Sequence, residues 1–115
     1  MTPAIRTPAK PAPLPATATL FSALADPTRL RILALLRDGE TCVCDLQRPL
    51  GIAQPLLSFH LRALRDAGLV TTRREGRWAY YAIAPDALTA AHDAVTDLLR
   101  PRTRGRSLPN LPSCC

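Results

Sequence analysis

At 115 residues the chain supports one hydrophobic core and excludes a multidomain assembly. Hydrophobic residues make up 47% of it but aromatics only 4%, so leucine and alanine must build that core, which favours helices over a sheet sandwich. A net charge of +6, with fourteen arginines among fifteen basic residues, points to a polyanionic partner, while no apolar run approaches the roughly 18 residues of a membrane-spanning helix.

Residues 1–16 carry Pro3, Pro8, Pro11, Pro13 and Pro15, each of which removes a donor and restricts the residue before it. A disordered or extended lead is expected there. It lacks the continuous apolar stretch of a signal peptide, so a cytoplasmic location is expected. The domain proper is predicted over residues 17–100. Within it, TLFSALA (19–25) spaces Leu20, Phe21 and Leu24 as one helical face, and Asp26-Pro27 supplies an N-cap and first-turn proline for a second helix, Pro27 to Arg37. Leu30, Leu33 and Ala34 are predicted to share that helix's buried face, with Gly39 as its stop. Thr41 is expected to cap a short third helix. Pro49 should end it early, because its missing N–H forbids the bond back to Asp45.

Gly51 makes a turn, and Pro55 opens a fourth helix reaching Gly68, so two short helices meet as a helix-turn-helix. At about 100° per residue, Leu57, Leu61 and Leu64 form one stripe of the fourth helix, while Gln54, Ser58, Arg62 and Arg65 form a separate face. Glutamine, serine and arginine are side chains that read base edges and hold phosphates. A solvated face is the plain alternative. Leu69 to Arg73 and Trp78 to Ile83, joined by Arg74-Glu75-Gly76-Arg77, read as a β-hairpin, which makes Arg73, Arg74 and Arg77 a basic wing. From Pro85 to Arg100 a last helix carries Leu88, Ala91, Val95 and Leu98, a stripe suited to a partner helix or to the chain's own core. A basic tail over 101–115 ends in Cys114-Cys115.

Four segments, LADPTRLRILALL (24–36), CVCDL (42–46), SFHLRALRDAGLV (58–70) and RREGRWAYYAI (73–83), resemble in order and spacing the ArsR/SmtB family of metal-responsive winged-helix repressors. The resemblance implies a winged helix-turn-helix, mainly α with a β-hairpin wing, and a homodimer formed through the first and last helices. It further implies that each subunit puts a recognition helix in the major groove of double-stranded operator DNA until an inducing ion binds. By position, Gln54, Ser58 and Arg62 would lie in the groove, Arg65 nearer the phosphates, and Arg73, Arg74 and Arg77 on the flanking backbone. His60 also matches the pattern, but its angle sets it at the edge of the leucine stripe.

Cys42 and Cys44 are the expected ligand pair. Residues i and i+2 of an ideal helix lie 200° apart, so both sulfurs could reach one ion only by unwinding the helix that supports the recognition helix. A helix N-terminus should lower their pKa, and Asp45 should oppose that. CVCDL most resembles the arsenic-responsive members, where a third thiol often follows three residues after the second; here that position is Gln47. The tail beyond Arg100 could span about 45 to 50 Å if extended, which lets Cys114 or Cys115 supply a third sulfur to trivalent arsenic or antimony. A four-cysteine site for cadmium, lead or zinc remains open, as does a thiol-redox repressor without a metal. An enzyme is not expected: there is no βαβ pattern, no nucleophilic triad and no glycine-rich phosphate loop.

Overall fold

A computed structural model describes residues 14–101. The elements are α1 (Leu14–Leu24), α2 (Pro27–Leu35), a 3-10 turn (Leu36–Asp38), β1 (Thr41–Cys42), α3 (Val43–Leu50), α4 (Gln54–Asp66), β2 (Val70–Glu75), β3 (Trp78–Ile83) and α5 (Pro85–Leu98). This is the expected helical domain with a hairpin wing. The expected lead up to residue 13, and the tail from 102 with Cys114 and Cys115, lie outside the described residues.

Residues 14–16 depart from the expected irregular lead. Helix α1 starts at Leu14 and places Pro15 in its first turn, where a missing N–H costs no intrahelical bond. Helix α2 begins as predicted: the Asp26 carboxylate accepts from the backbone N–H of Thr28 at 2.8 Å and of Arg29 at 3.1 Å. Those bonds, that from Arg29 foremost, hold its pKa below the ordinary carboxylate value. The buried face of α2 is not the predicted one. Ile32, Leu33 and Leu36 are buried, whereas Leu30 is 51% exposed and Ala34 faces solvent. LRILALL is apolar at nearly every position, so spacing alone selects no face.

Thr41 does not cap a helix. It pairs with Tyr81 in a short strand, while Cys42 pairs with Tyr80 and then serves as the N-cap of α3. Helix α3 also runs past Pro49 to Leu50. Proline removes one bond near the end of the helix, and the turn is secured by other means: Arg31 Nη2 donates to the Pro49 carbonyl at 3.1 Å, and Leu50 is buried. Gly51 closes the helix at φ 63°, a left-handed conformation that favours glycine.

The antiparallel sheet has the order β1-β3-β2, so the hairpin is tied to the segment before α3. Pairing of β2 with β3 runs from Val70↔Ile83 to Glu75↔Trp78, leaving Gly76 and Arg77 as a turn tighter than the four-residue connection predicted. Leu57, Leu61 and Leu64 of α4 pack with Ile32, Leu46 and Leu69 into the core, each no more than 1% exposed. Truncating Leu57 to alanine is expected to lower the unfolding free energy by about 2 to 5 kcal/mol. Urea denaturation followed by circular dichroism measures that directly; an unchanged midpoint would contradict this core.

Helix α5 packs against α1 and buries Ala91, but Val95 and Leu98 are 48% and 84% exposed. The stripe therefore divides between the chain's own core and a bare outer half. No described helix is long and apolar enough to cross a membrane.

Candidate nucleic-acid interface and thiol pair

Helix α4 presents Gln54, Ser58, Arg62 and Arg65 to solvent because Leu57, Leu61 and Leu64 face inward on a separate side. His60 is set apart from them and is corrected as a base-facing candidate. It is buried at 7% exposure, and its Nδ1 accepts a hydrogen bond from Arg29 Nε at 3.1 Å. Phe59 was missed by the sequence reading. It is 58% exposed, and the same 100° arithmetic places it opposite the leucine stripe.

In the wing, Arg74 and Arg77 lie at the tip and are exposed. Arg73 is differently used. Its Nε and Nη2 grip the two carboxylate oxygens of Glu40 at 3.0 and 2.9 Å, its Nη1 meets Glu75 at 3.1 Å, and its guanidinium lies over the Tyr80 ring at 4.7 Å. A fork that binds both oxygens of one carboxylate fixes orientation as well as distance. It raises the Arg73 pKa, with Glu40 the larger cause, and holds Glu40 below its usual value. The expected third wing cation is thus a latch from β2 to the residue just ahead of β1.

The thiols contradict the expected separation. Cys42 Sγ and Cys44 Sγ lie 3.0 Å apart with α3 intact. The helical angle does not apply, because Cys42 stands outside the helix with extended backbone (φ −72°, ψ 146°) and only Cys44 is within it. No unwinding is needed to bring the sulfurs together. Their ionisation also runs against expectation for Cys44: its pKa is raised, first by the hydrogen bond with Cys42, then by desolvation and by the charges of Cys42 and Asp45. Cys42 is buried and Cys44 exposed, so the pair is reached from one side. Gln47, at the position where a third thiol would follow, donates from Nε2 to the Ile52 carbonyl at 3.2 Å and closes the turn between α3 and α4.

Both cysteines open on a cleft of about 310 Å³ whose walls also include Gln54 and Ser58 of α4 and Arg74 and Arg77 of the wing. The thiol pair, the Gln54 and Ser58 end of α4 and the wing tip therefore face the same space. Among the described residues, no group of three or more His, Cys, Asp or Glu side chains gathers into a site that could hold a metal ion. His92, on α5, is exposed and meets Asp93 at 3.5 Å.

The model of the family described as "Bacterial regulatory protein, arsR family" matches residues 26–72. The arsenical resistance operon repressor of Staphylococcus xylosus is 37% identical over 95 residues, covering 83% of this chain and 90% of that protein. The arsenic resistance transcriptional regulator ArsR1 of Pseudomonas putida is 47% identical over 68 residues, 58% of this chain, which spans only 53% of that protein's length. Among solved structures, the homodimeric winged helix-turn-helix DNA-binding domain Mb0332 of Mycobacterium bovis, described as a possible ArsR-family regulator, superposes with a TM-score of 0.62. It is 40% identical, with 73% of this chain and 80% of that one covered.

Proposed function

This chain belongs to the arsR family of bacterial regulatory proteins, and from that premise we propose that it is a homodimeric repressor of operator DNA, released when trivalent arsenic or antimony binds Cys42 and Cys44. The observation that carries the reading is the shared cleft: two touching sulfurs open between the reading helix and the wing tip. The arsenical resistance named for the relatives supports the choice of ion.

In the DNA-bound state, Gln54, Ser58 and Arg62 reach base edges in the major groove, while Arg65, Arg74 and Arg77 hold phosphates. Two copies, joined over the bare outer halves of α1 and α5, present two such helices to a two-fold operator. Trivalent arsenic is soft and is satisfied by three thiolates. Cys42 and Cys44 would supply two, and Cys114 or Cys115 of the tail a third. Cys42 also belongs to the ladder with Tyr80, and Glu40 latches Arg73, so a pull on the sulfurs is transmitted to the wing through backbone bonds and a bidentate ion pair. The tail drawn in behind the ion would fill space that DNA needs. An ion preferring the free protein by about 3 kcal/mol shifts operator affinity about a hundredfold.

The test is operator binding by reduced full-length protein, titrated in parallel with arsenite, cadmium, zinc and peroxide. Release by arsenite at concentrations where zinc is inert supports the proposal. Selective release by cadmium or zinc would favour a four-cysteine site. The 3.0 Å sulfur contact also suits oxidation to a disulfide, and release by peroxide alone would assign the pair to redox sensing.

Because the Cys44 thiol is held up in pKa, it keeps its proton near neutrality. Arsenite between pH 6 and 8 is the neutral trihydroxide, and each thiol it takes up gives its proton to a departing hydroxide, which leaves as water, so no net proton is released. Arsenite affinity is therefore expected to be nearly flat over that range, whereas a cation such as cadmium, which must displace the thiol protons, should bind more tightly as pH rises. Ultraviolet titration of both between pH 6 and 8 measures it; a steep rise for arsenite would contradict exchange of hydroxide for protonated thiol.

A further inference from the structure

We propose that Phe59 is a specificity determinant that reads thymine through its C5-methyl group, an inference that rests on the DNA-binding reading above. Phe59 projects from α4 about 60° around the helix from Arg62, and the residue is 58% exposed. Single exposed apolar residues are ordinary on a protein surface. This one is unusual in its place and in how firmly it is held.

The ring is braced from behind. The Arg29 guanidinium carbon lies 5.7 Å from its centroid, and the His60 ring packs edge to face against it with centroids 5.4 Å apart at 68°. Arg29 is itself tied to His60 through Nε and Nδ1 at 3.1 Å, and His60 is buried in the core. A buried histidine thus anchors an arginine, and both fix the attitude of an aromatic ring beside the polar reading face. Arg29 also adds positive charge beside Phe59, which favours a phosphate-bearing partner over an apolar one.

The chemistry then selects the contact. Phenylalanine neither donates nor accepts a conventional hydrogen bond, and the base edges of the major groove present one apolar group, the methyl of thymine. A ring held rigid before contact loses little side-chain entropy on binding. Gln54, Ser58 and Arg62 would read donors and acceptors, and Phe59 would add the one feature those side chains cannot sense.

The test uses an operator obtained by in vitro selection with the full chain, in which each thymine is replaced in turn by deoxyuridine, a change that deletes only the methyl. The wild-type protein is expected to lose about fourfold in affinity at one thymine per half-site, and about fifteenfold when both half-sites are changed. Phe59→Ala and Phe59→Gln are expected to bind the thymine operator as weakly as wild type binds the uracil one, and to lose the distinction between them. Dimerisation in sedimentation and helicity should be unchanged. The proposal is overturned if the variants still prefer thymine by the wild-type factor, if wild type is indifferent to every methyl, or if the variants fail through loss of the dimer. Wild-type protein that selects no sequence at all would remove the DNA-binding reading itself, and with it this one.

Discussion

Cys44→Ser protein is expected to hold operator DNA with nearly wild-type affinity yet fail to release it at arsenite concentrations that free the wild type. Cys44 is exposed and its thiol meets that of Cys42, so a serine there disturbs neither the core nor the α4 face. Surface changes of this kind fall within about 0.5 kcal/mol, or about twofold. The ligand set, by contrast, loses a thiolate for a hydroxyl that a soft metalloid binds poorly. A hundredfold response should fall to almost none in a fluorescence-anisotropy titration. Unaltered release by Cys44→Ser would remove the thiol pair from the inducer site. Replacing Cys114 and Cys115 together asks the same of the tail.

The second large effect is expected at Arg62. It stands exposed on α4 between Ser58 and Arg65. If it grips a guanine edge, Arg62→Ala should cost about 1 to 3 kcal/mol in each half-site and relax selectivity at one base position. Doubled by symmetry, that is a loss on the order of a hundredfold or more. Arg77→Ala should behave differently, weakening all sequences alike and lowering the slope of log affinity against log salt by about 0.9 per subunit. Selection of preferred sites by each variant, at two salt concentrations, separates the two roles. Equal, sequence-independent losses at both positions would contradict the placing of α4 in the groove.

What could be read before the structure was local and periodic. The leucine stripe of α4 repeats at three and four residues, so its buried and exposed faces followed from the angle alone, and the Trp78 to Ile83 strand announced itself by residue type. The misreadings at Thr41, Cys42 and Arg73 share a cause: each depended on a partner distant in sequence. Strand β1 is two residues long and exists because Tyr80 and Tyr81 pair with it. That pairing makes Cys42 a cap instead of a helical residue, which is why the sulfurs touch where an ideal helix would hold them apart. Arg73 looked like a phosphate ligand until Glu40, 33 residues away, proved to hold it. The face of α2 was ambiguous because LRILALL (30–36) is apolar at nearly every position. Phe59 needed no partner to be found. Its angle was available, but a search for polar base readers passed over it.

In the proposed function, ion at the thiols and DNA at the α4 face are coupled through one cleft. Coupling of two binding sites is reciprocal, so the factor by which arsenite weakens operator binding must equal the factor by which operator weakens arsenite binding. The most direct measurement is therefore arsenite affinity of the wild-type dimer, alone and saturated with operator, at one pH and salt. A reduction of about a hundredfold on the complex, matching the loss of DNA affinity, is the predicted result. Arsenite bound to Cys42 and Cys44 with the same affinity whether or not operator is present would contradict it.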